Sequence, residues 1–450
     1  MTANQPVDLW LDKMPSDWQR SRIRNVAALS PNYSQTRPAM DELCTVVPME
    51  LLSNDGAIDL SIQQPLDEIS TGLPLFETSD VLFAKITPCM ENGKGAYVGQ
   101  LPTRYAFGST EFHVLRPGNK VDGKFLYYAT FNPVYRAYAA ENMVGAAGQK
   151  RVSSRFLKDT RLFLPPPPEQ QRIAAFLDAS CESIDAAVAA KRRQLETLDA
   201  LRSSIISRAV THGLNAKAAL KPSGLDWVPE VPAHWQVRQI KRLCSLVRGQ
   251  FTHRPRNDPA LYDGPYPFIQ TGDITAAGKY IRTHSQTLNE LGLSVSKQFP
   301  RGTLVMSIAA NIGDVAILDF EACFPDSMIG MIPSHKTNLD FLYYLMRSMR
   351  GIMLRSAVQS TQLNLNYVRI GTNFAPAPPL KEQVAIAEYL DAKEHESHLI
   401  SGTIQTQITT LTAYRKSLIH ECVTGQRRIS EADVRAVQGR AAHLVEPLAA

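Results

Sequence analysis

Residues 169–178 read EQQRIAAFLD and residues 382–391 read EQVAIAEYLD. Six of the ten positions are identical at an offset of 213. The same offset, without a gap, pairs residues 202–211 (RSSIISRAVT) with residues 415–424 (RKSLIHECVT), where five of ten are identical. Each block follows a proline cluster, Pro165–Pro168 in one copy and Pro376, Pro378 and Pro379 in the other. Such self-similarity means that the chain is built twice. Two copies are too few for a solenoid, but they suit a ligand whose two halves are related by symmetry.

Upstream the repeat continues with a drifting offset. Pro15-Ser16-Asp17-Trp18-Gln19 returns as Pro232-Ala233-His234-Trp235-Gln236 at an offset of 217, and Phe125-Leu126-Tyr127-Tyr128 as Phe341-Leu342-Tyr343-Tyr344 at 216. Val81–Ile86 corresponds to Thr303–Ile308 at 222. A drifting offset records insertions in loops, whereas the blocks within 169–211 and 382–424 keep one offset throughout. The unit is therefore a variable globular part followed by a length-locked part.

The length-locked parts read as long helices. Proline is tolerated in a first helical turn, and Glu169 or Glu382 beside it complements the positive end of the helix dipole. Apolar residues then recur mostly at three- and four-residue steps: Ile173, Leu177, Ile184, Val188, Leu195, Leu198 and Ile205 in the first, and Ile386, Leu390, Ile404, Ile408, Leu411, Leu418 and Cys422 in the second. From 169 to 211 a continuous helix would be roughly 65 Å long. One apolar seam on so long a helix needs a partner, and the two copies are the obvious pair. Ile184, Val188, Leu195, Leu198, Ile205, Ile404, Ile408, Leu411 and Leu418 are the candidate pairing residues. Lys191 interrupts the first seam opposite Ile404 in the alignment, and Gly402 weakens the second helix locally. The globular parts mix short β-type runs with short helical runs such as Phe125–Ala140 and Leu339–Leu354, which reads as α+β.

The formal net charge is +5. Residues 1–165 carry 17 basic and 17 acidic side chains, and residues 232–375 carry 15 and 9, so the excess lies in the second globular part. That bias favours a polyanionic partner there. No apolar run is long enough to span a bilayer, and no charged-then-apolar leader opens the chain. The six cysteines form no C-x-x-C pair, which argues against zinc and fits a reducing cytoplasm.

Catalytic signatures are hard to find. Asn132-Pro133-Val134-Tyr135 differs by one residue from the Asn-Pro-Pro-Tyr motif of amino-methyltransferases. Its counterpart, Met346-Arg347-Ser348-Met349, has no proline, and no glycine-rich turn follows a strand to hold S-adenosylmethionine. The proline reads better as a helix breaker. Gly93-Lys94-Gly95 lacks the context of a phosphate loop. Asp391, Glu394, His395 and His398 could share a helix face, but the first copy has no histidine there, so a solvated face is the simpler reading.

What recurs instead is polar and amide-rich. Gly148-Gln149-Lys150-Arg151-Val152-Ser153 aligns with Thr361-Gln362-Leu363-Asn364-Leu365-Asn366. Arginine and lysine can grip guanine edges or phosphates, and asparagine and glutamine can read adenine. Arg254, Arg256, Tyr266 and Gln270 add a basic, aromatic loop to the second copy. With Lys85, Lys94 and Arg104 in the first copy and Ser307 and Asn311 in the second, Gln149, Lys150, Arg151, Gln362, Asn364 and Asn366 form the candidate DNA-contact set.

The order of a Trp-Gln opening, a variable domain and a Pro-Pro-x-x-Glu-Gln-x-x-Ile-Ala-x-x-Leu-Asp helix, all repeated, resembles the specificity subunit of Type I restriction-modification systems. The linker Gly224-Leu225-Asp226-Trp227-Val228-Pro229 looks like that family too, and the resemblance covers about 14–425. It implies two target-recognition domains (1–165 and 232–375) that each read half of a split double-stranded DNA target. It also implies a central spacer helix (166–213), a linker (214–231) and a C-terminal spacer helix (376–426), with 427–450 left as a flexible tail. The helices would pair as an antiparallel coiled coil, act as a ruler and dock two methyltransferase subunits. The chain itself would be non-catalytic and hold no cofactor or metal. S-adenosylmethionine, ATP and Mg would reside on the methyltransferase and restriction/translocase partners. The alternatives are a specificity subunit whose partner fuses methyltransferase and nuclease, a free-standing DNA adenine methyltransferase, and a coiled-coil adaptor.

Overall fold

The computed structural model describes residues 15–31, 38–146, 148–309, 311–356 and 367–445. Gln362, Asn364 and Asn366 lie outside the described residues. The chain divides into two compact units, Met1–Arg192 with Gln405–Ala450, and Arg193–Ile404.

In the first unit one antiparallel sheet has the order Ala27–Leu29, Phe112–Pro117, Val81–Ala84, Gly95–Tyr97. A second has the order Gln63–Pro65, Leu43–Val47, Ala106–Gly108, Leu75–Phe76, with its two middle strands parallel. The second unit repeats both. Its first sheet runs Cys244–Arg248, Met328–Pro333, Leu304–Ser307, Val315–Leu318, and adds Tyr280–Ile281 at the edge. Its second runs Gln286–Leu288, Tyr262–Phe268, Ala322–Cys323, Gln298–Phe299, again with a parallel middle pair. Val81–Ala84 and Leu304–Ser307 are buried at every residue, as a continuous apolar run in a central strand requires.

A two-stranded ladder closes each globular part on itself. Gln19–Arg22 pairs with Arg161–Leu164, and Gln236–Gln239 with Phe374–Ala377. The closing strand in each case runs straight into the prolines. The long helices follow, Pro167–His212 and Leu380–Val423. Gly402 does not interrupt the second one.

Both helices carry an unbroken 4-3 seam at the constant offset of 213. In the first it is Leu177, Cys181, Ile184, Val188, Lys191, Leu195, Leu198, Arg202, Ile205 and Ala209; in the second Leu390, Glu394, Ser397, Ser401, Ile404, Ile408, Leu411, Arg415, Leu418 and Cys422. All twenty are buried or half-buried. A strict 3.5-residue period is that of a coiled coil. In the first unit Arg415 reaches Asp185 at 3.1 Å. In the second, Arg202 grips Glu394 with both Nε and Nη2. Residue numbers rise along one helix as they fall along the other, so the helices pair antiparallel.

Two expectations need correction. The linker contains a hairpin, Leu220–Leu225 against Val228–Pro232. A two-stranded ladder has two open edges, so Pro222, Pro229 and Pro232 cost it little, and Trp227 packs on the core of the second unit. The tail after residue 426 is also ordered up to residue 445. Arg428 pairs with Asp17 and Glu169, Ile429 is buried, and Glu431–Val445 is a helix. Ser430 and Asp433 cap that helix reciprocally, Ser430 N–H donating to Asp433 at 2.9 Å and Asp433 N–H to Ser430 Oγ at 3.2 Å. The helical run Phe125–Ala140 is broken at Pro133, as the helix-breaker reading of that proline expected, into Gly123–Phe131 and Pro133–Glu141, with Asn132 capping the second.

Candidate nucleic-acid interface

The repeated Glu-Gln pair is the joint between each globular part and its helix. The Gln170 side chain donates to the Pro165 and Lys120 carbonyls (2.8 and 3.1 Å) and accepts from the Asp122 N–H (2.7 Å). Gln383 does the same with Pro378, Lys336 and Asn338 (2.8, 3.1 and 2.8 Å). Asp122 and Asn338 in turn cap the helices Gly123–Phe131 and Leu339–Ser348. One buried amide thus ties a proline turn, a loop and a helix start together. The Trp18 indole N–H donates to Glu169, and that of Trp235 to Glu382 (3.2 and 2.9 Å). Two to three helical turns further on, Tyr128 donates to Asp178 and Tyr344 to Asp391 (2.8 and 2.6 Å). Burial lifts both phenols far above their ordinary pKa, so they stay protonated and keep a proton to donate.

In the first unit the structure brings together Lys85, Gln149, Lys150 and Arg151. Thr87 N–H donates to the Lys150 carbonyl and Val152 N–H to that of Lys85 (3.0 and 2.8 Å), and Arg151 bridges both Ile86 and Val144. Gln149 and Lys150 are exposed along that edge. Arg151 is occupied differently from its expected role. Its guanidinium forks onto Glu111, Nε at 2.9 Å and Nη2 at 2.8 Å, and Arg151 holds that carboxyl below its usual range. Lys94 is turned back onto the Met49 carbonyl at 2.9 Å. Arg104 lies over the Tyr105 ring, on a different loop.

The basic, aromatic loop of the second unit is also internally engaged. Arg254 donates to the Phe251 and His253 carbonyls, both at 2.7 Å, and Arg254 and Arg256 converge on Asp326. The Tyr266 hydroxyl donates to Glu290 at 2.6 Å, and Gln270 binds Gln286 at 2.8 Å while capping Thr271–Ala276. Ser307 is buried on the Ala309 carbonyl, and Asn311 is exposed but bound to Thr275 (2.7 and 2.8 Å). These residues form bracing pairs rather than an open cationic surface.

The Asn-Pro-Val-Tyr stretch is similarly engaged. Asn132 Oδ1 accepts from Val134 N–H and lies 3.0 Å from His420 Nδ1. Asp391 is bound by Lys279 and Tyr344, and Glu394 by Arg202 and Arg347. Among the pairing residues, Ile184, Val188, Ile404, Ile408 and Leu418 are buried, and Leu195, Leu198, Ile205 and Leu411 half-buried. The apolar pattern missed the joint residues Trp18, Gln170, Trp235 and Gln383. Their signal was available, since each is identical in the two copies.

A family model described as the Type I restriction modification DNA specificity domain matches residues 15–197 and again 232–410. The chain belongs to this specificity-domain family. It is 31% identical over 164 residues to the Type I restriction enzyme EcoAI specificity subunit of Escherichia coli, a match that covers 36% of this chain and 27% of that protein. The chain thus spans only about a quarter of the EcoAI subunit. It is 23% identical over 403 residues to the putative type I restriction enzyme MjaX specificity subunit of Methanocaldococcus jannaschii, covering 85% of this chain and 88% of that one. Two solved structures share the fold. One, from work on complex assembly and conformational transition of the type I R-M system, has a TM-score of 0.73 at 17% identity over 91% of this chain and 98% of its own. The other, the HsdS subunit from Thermoanaerobacter tengcongensis, has a TM-score of 0.52 at 16% identity, over 92% and 98%.

Proposed function

We propose that this specificity-family chain is the DNA-recognition subunit of a Type I restriction-modification complex, reading one half of a split target with each globular part. The observation that carries this reading is the duplicated joint. Gln170 and Gln383 make the same three hydrogen bonds in the two units. Each reader is thereby fixed to its helix in the same way, while the loops around it are free to differ. The chain performs no chemistry in this reading, and Asn132, which caps a helix, supports it. Two methyltransferase subunits bring S-adenosylmethionine, and restriction/translocase subunits bring ATP and Mg. Among the described residues no helix is long and apolar enough to cross a membrane.

The test is a domain exchange. Residues 232–375 are replaced with the equivalent part of a relative, and the motif is read from methylated bases in cells carrying the chimera. One half of the motif should change and the other stay. If both halves change together, the modular reading is wrong.

A further inference from the structure

Much of the positive charge of the second unit, including that of the loop that the sequence singles out, is matched by carboxylates. Arg254 and Arg256 are matched by Asp326, Arg301 and Arg282 by Asp319, and Arg350 by Asp314. Arg238, Arg242 and Lys336 have no carboxylate partner among the described residues. All three line one groove of about 270 Å3, together with His234, Gln236 and the proline turn at Pro379.

Their backbones are held firmly while their side chains are exposed. Arg238 sits on the closing ladder opposite Ala375. Arg242 is on the short helix Ile240–Leu243. The Lys336 carbonyl is bound by Gln383 at 3.1 Å. The start of a 44-residue helix adds partial positive charge at the same place. Glu382 is the nearby acid, and it is engaged by Trp235 at 2.9 Å and His234 at 2.7 Å.

The first unit lacks this arrangement. At the offset of 217, Ser21 stands for Arg238 and Asn25 for Arg242, and only Lys120, at the offset of 216, matches Lys336. Its neighbouring cations, Arg22 and Arg24, are paired with Asp159 at 3.5 and 2.9 Å, where the second unit has Thr372.

We propose that this groove, formed by Arg238, Arg242 and Lys336 at the root of the second long helix, binds backbone phosphates of nucleic acid. The inference rests on the DNA-recognition reading and gives it a sequence-independent contact that only the second repeat carries. Three cations on three rigid elements suit a chain of singly charged phosphodiesters. Side chains of this kind position a protein on the duplex without reading bases.

The test uses the full chain assembled with its methyltransferase subunits. Affinity for a target duplex and for an unrelated duplex is measured by anisotropy across a range of KCl concentrations. The triple variant Arg238→Gln, Arg242→Gln, Lys336→Gln should weaken binding to both duplexes by the same factor. Its plot of log affinity against log salt should be shallower by roughly 0.9 for each lost phosphate contact. The pair Arg238→Lys, Arg242→Lys keeps the charge and should keep the wild-type slope. An unchanged slope in a normally assembled triple variant overturns the proposal. So does loss of methyltransferase assembly with the slope intact, which would assign the groove to an acidic protein segment. If the wild-type complex binds no DNA, the recognition reading itself fails, and the two failures are distinguishable.

Discussion

Gln170 and Gln383 show how much one side chain can organise. Each is buried, and each satisfies three backbone groups that belong to three different segments. Leucine would fit the space but satisfy none of them. A buried polar group left without a partner costs about 1–3 kcal/mol. Gln383→Leu should therefore lower the unfolding free energy of the full chain by at least about that amount, read from urea denaturation, and Gln383→Glu should do no better, because a carboxylate oxygen would face the Pro378 and Lys336 carbonyls. A loss no larger than that of an exposed glutamine would mean that the joint is held elsewhere. The same residue scale shows why the helix-breaker reading holds at Asn132. A proline after an asparagine fits both a methyltransferase motif and a helix start. The Val134 N–H, 3.0 Å from Asn132 Oδ1, is the contact of a helix start.

At the scale of the helices, the apolar seam was legible and its polar members were not. Arg202, Glu394 and Arg415 occupy seam positions, but a count of apolar residues passes over them. They stay at a half-buried seam because each meets an opposite charge on the other helix, which periodicity alone does not reveal. The linker hairpin and the final helix were hidden for a related reason: their prolines and charges look like loop until their partners, such as Asp17 and Glu169 for Arg428, are in place. Glu394 makes the seam sensitive to acid. Burial alone would raise its carboxyl, but Arg202 and Arg347 outweigh burial and hold it below the usual range. A carboxylate with a depressed folded-state pKa stabilises the fold fully above its unfolded value, about 4.3 for glutamate, and loses that contribution as pH falls through the folded value. The stability difference between wild type and Glu394→Gln should thus be constant above about pH 5 and shrink below about pH 4. Urea midpoints across that range measure it. A difference that persists unchanged to pH 3 would show that charge on Glu394 is not what the arginines require.

For the whole molecule, the constant offset of 213 contrasts with drifting offsets in the globular parts. The two copies differ by insertions in the loops, but their long helices differ by none. Length itself is then the conserved quantity between the two copies, as expected of a spacer between two half-sites. Antiparallel pairing sharpens the test, because a heptad added to one helix alone has no facing turn. Duplicating residues 191–197 together with 404–410 adds one heptad at equivalent places in both seams, Lys191 and Ile404 leading each. The seam stays in phase, and both helices lengthen by roughly 10 Å. DNA rises about 3.4 Å per base pair, so the spacer within the methylated motif should grow by up to about three base pairs. It grows by less if the helices run oblique to the duplex. Both half-site sequences should stay as they were, since no reader is altered. Duplicating 191–197 alone should give a weaker or inactive complex. If the double insertion assembles, methylates and keeps the original spacer, the helices join the readers without setting the distance between them.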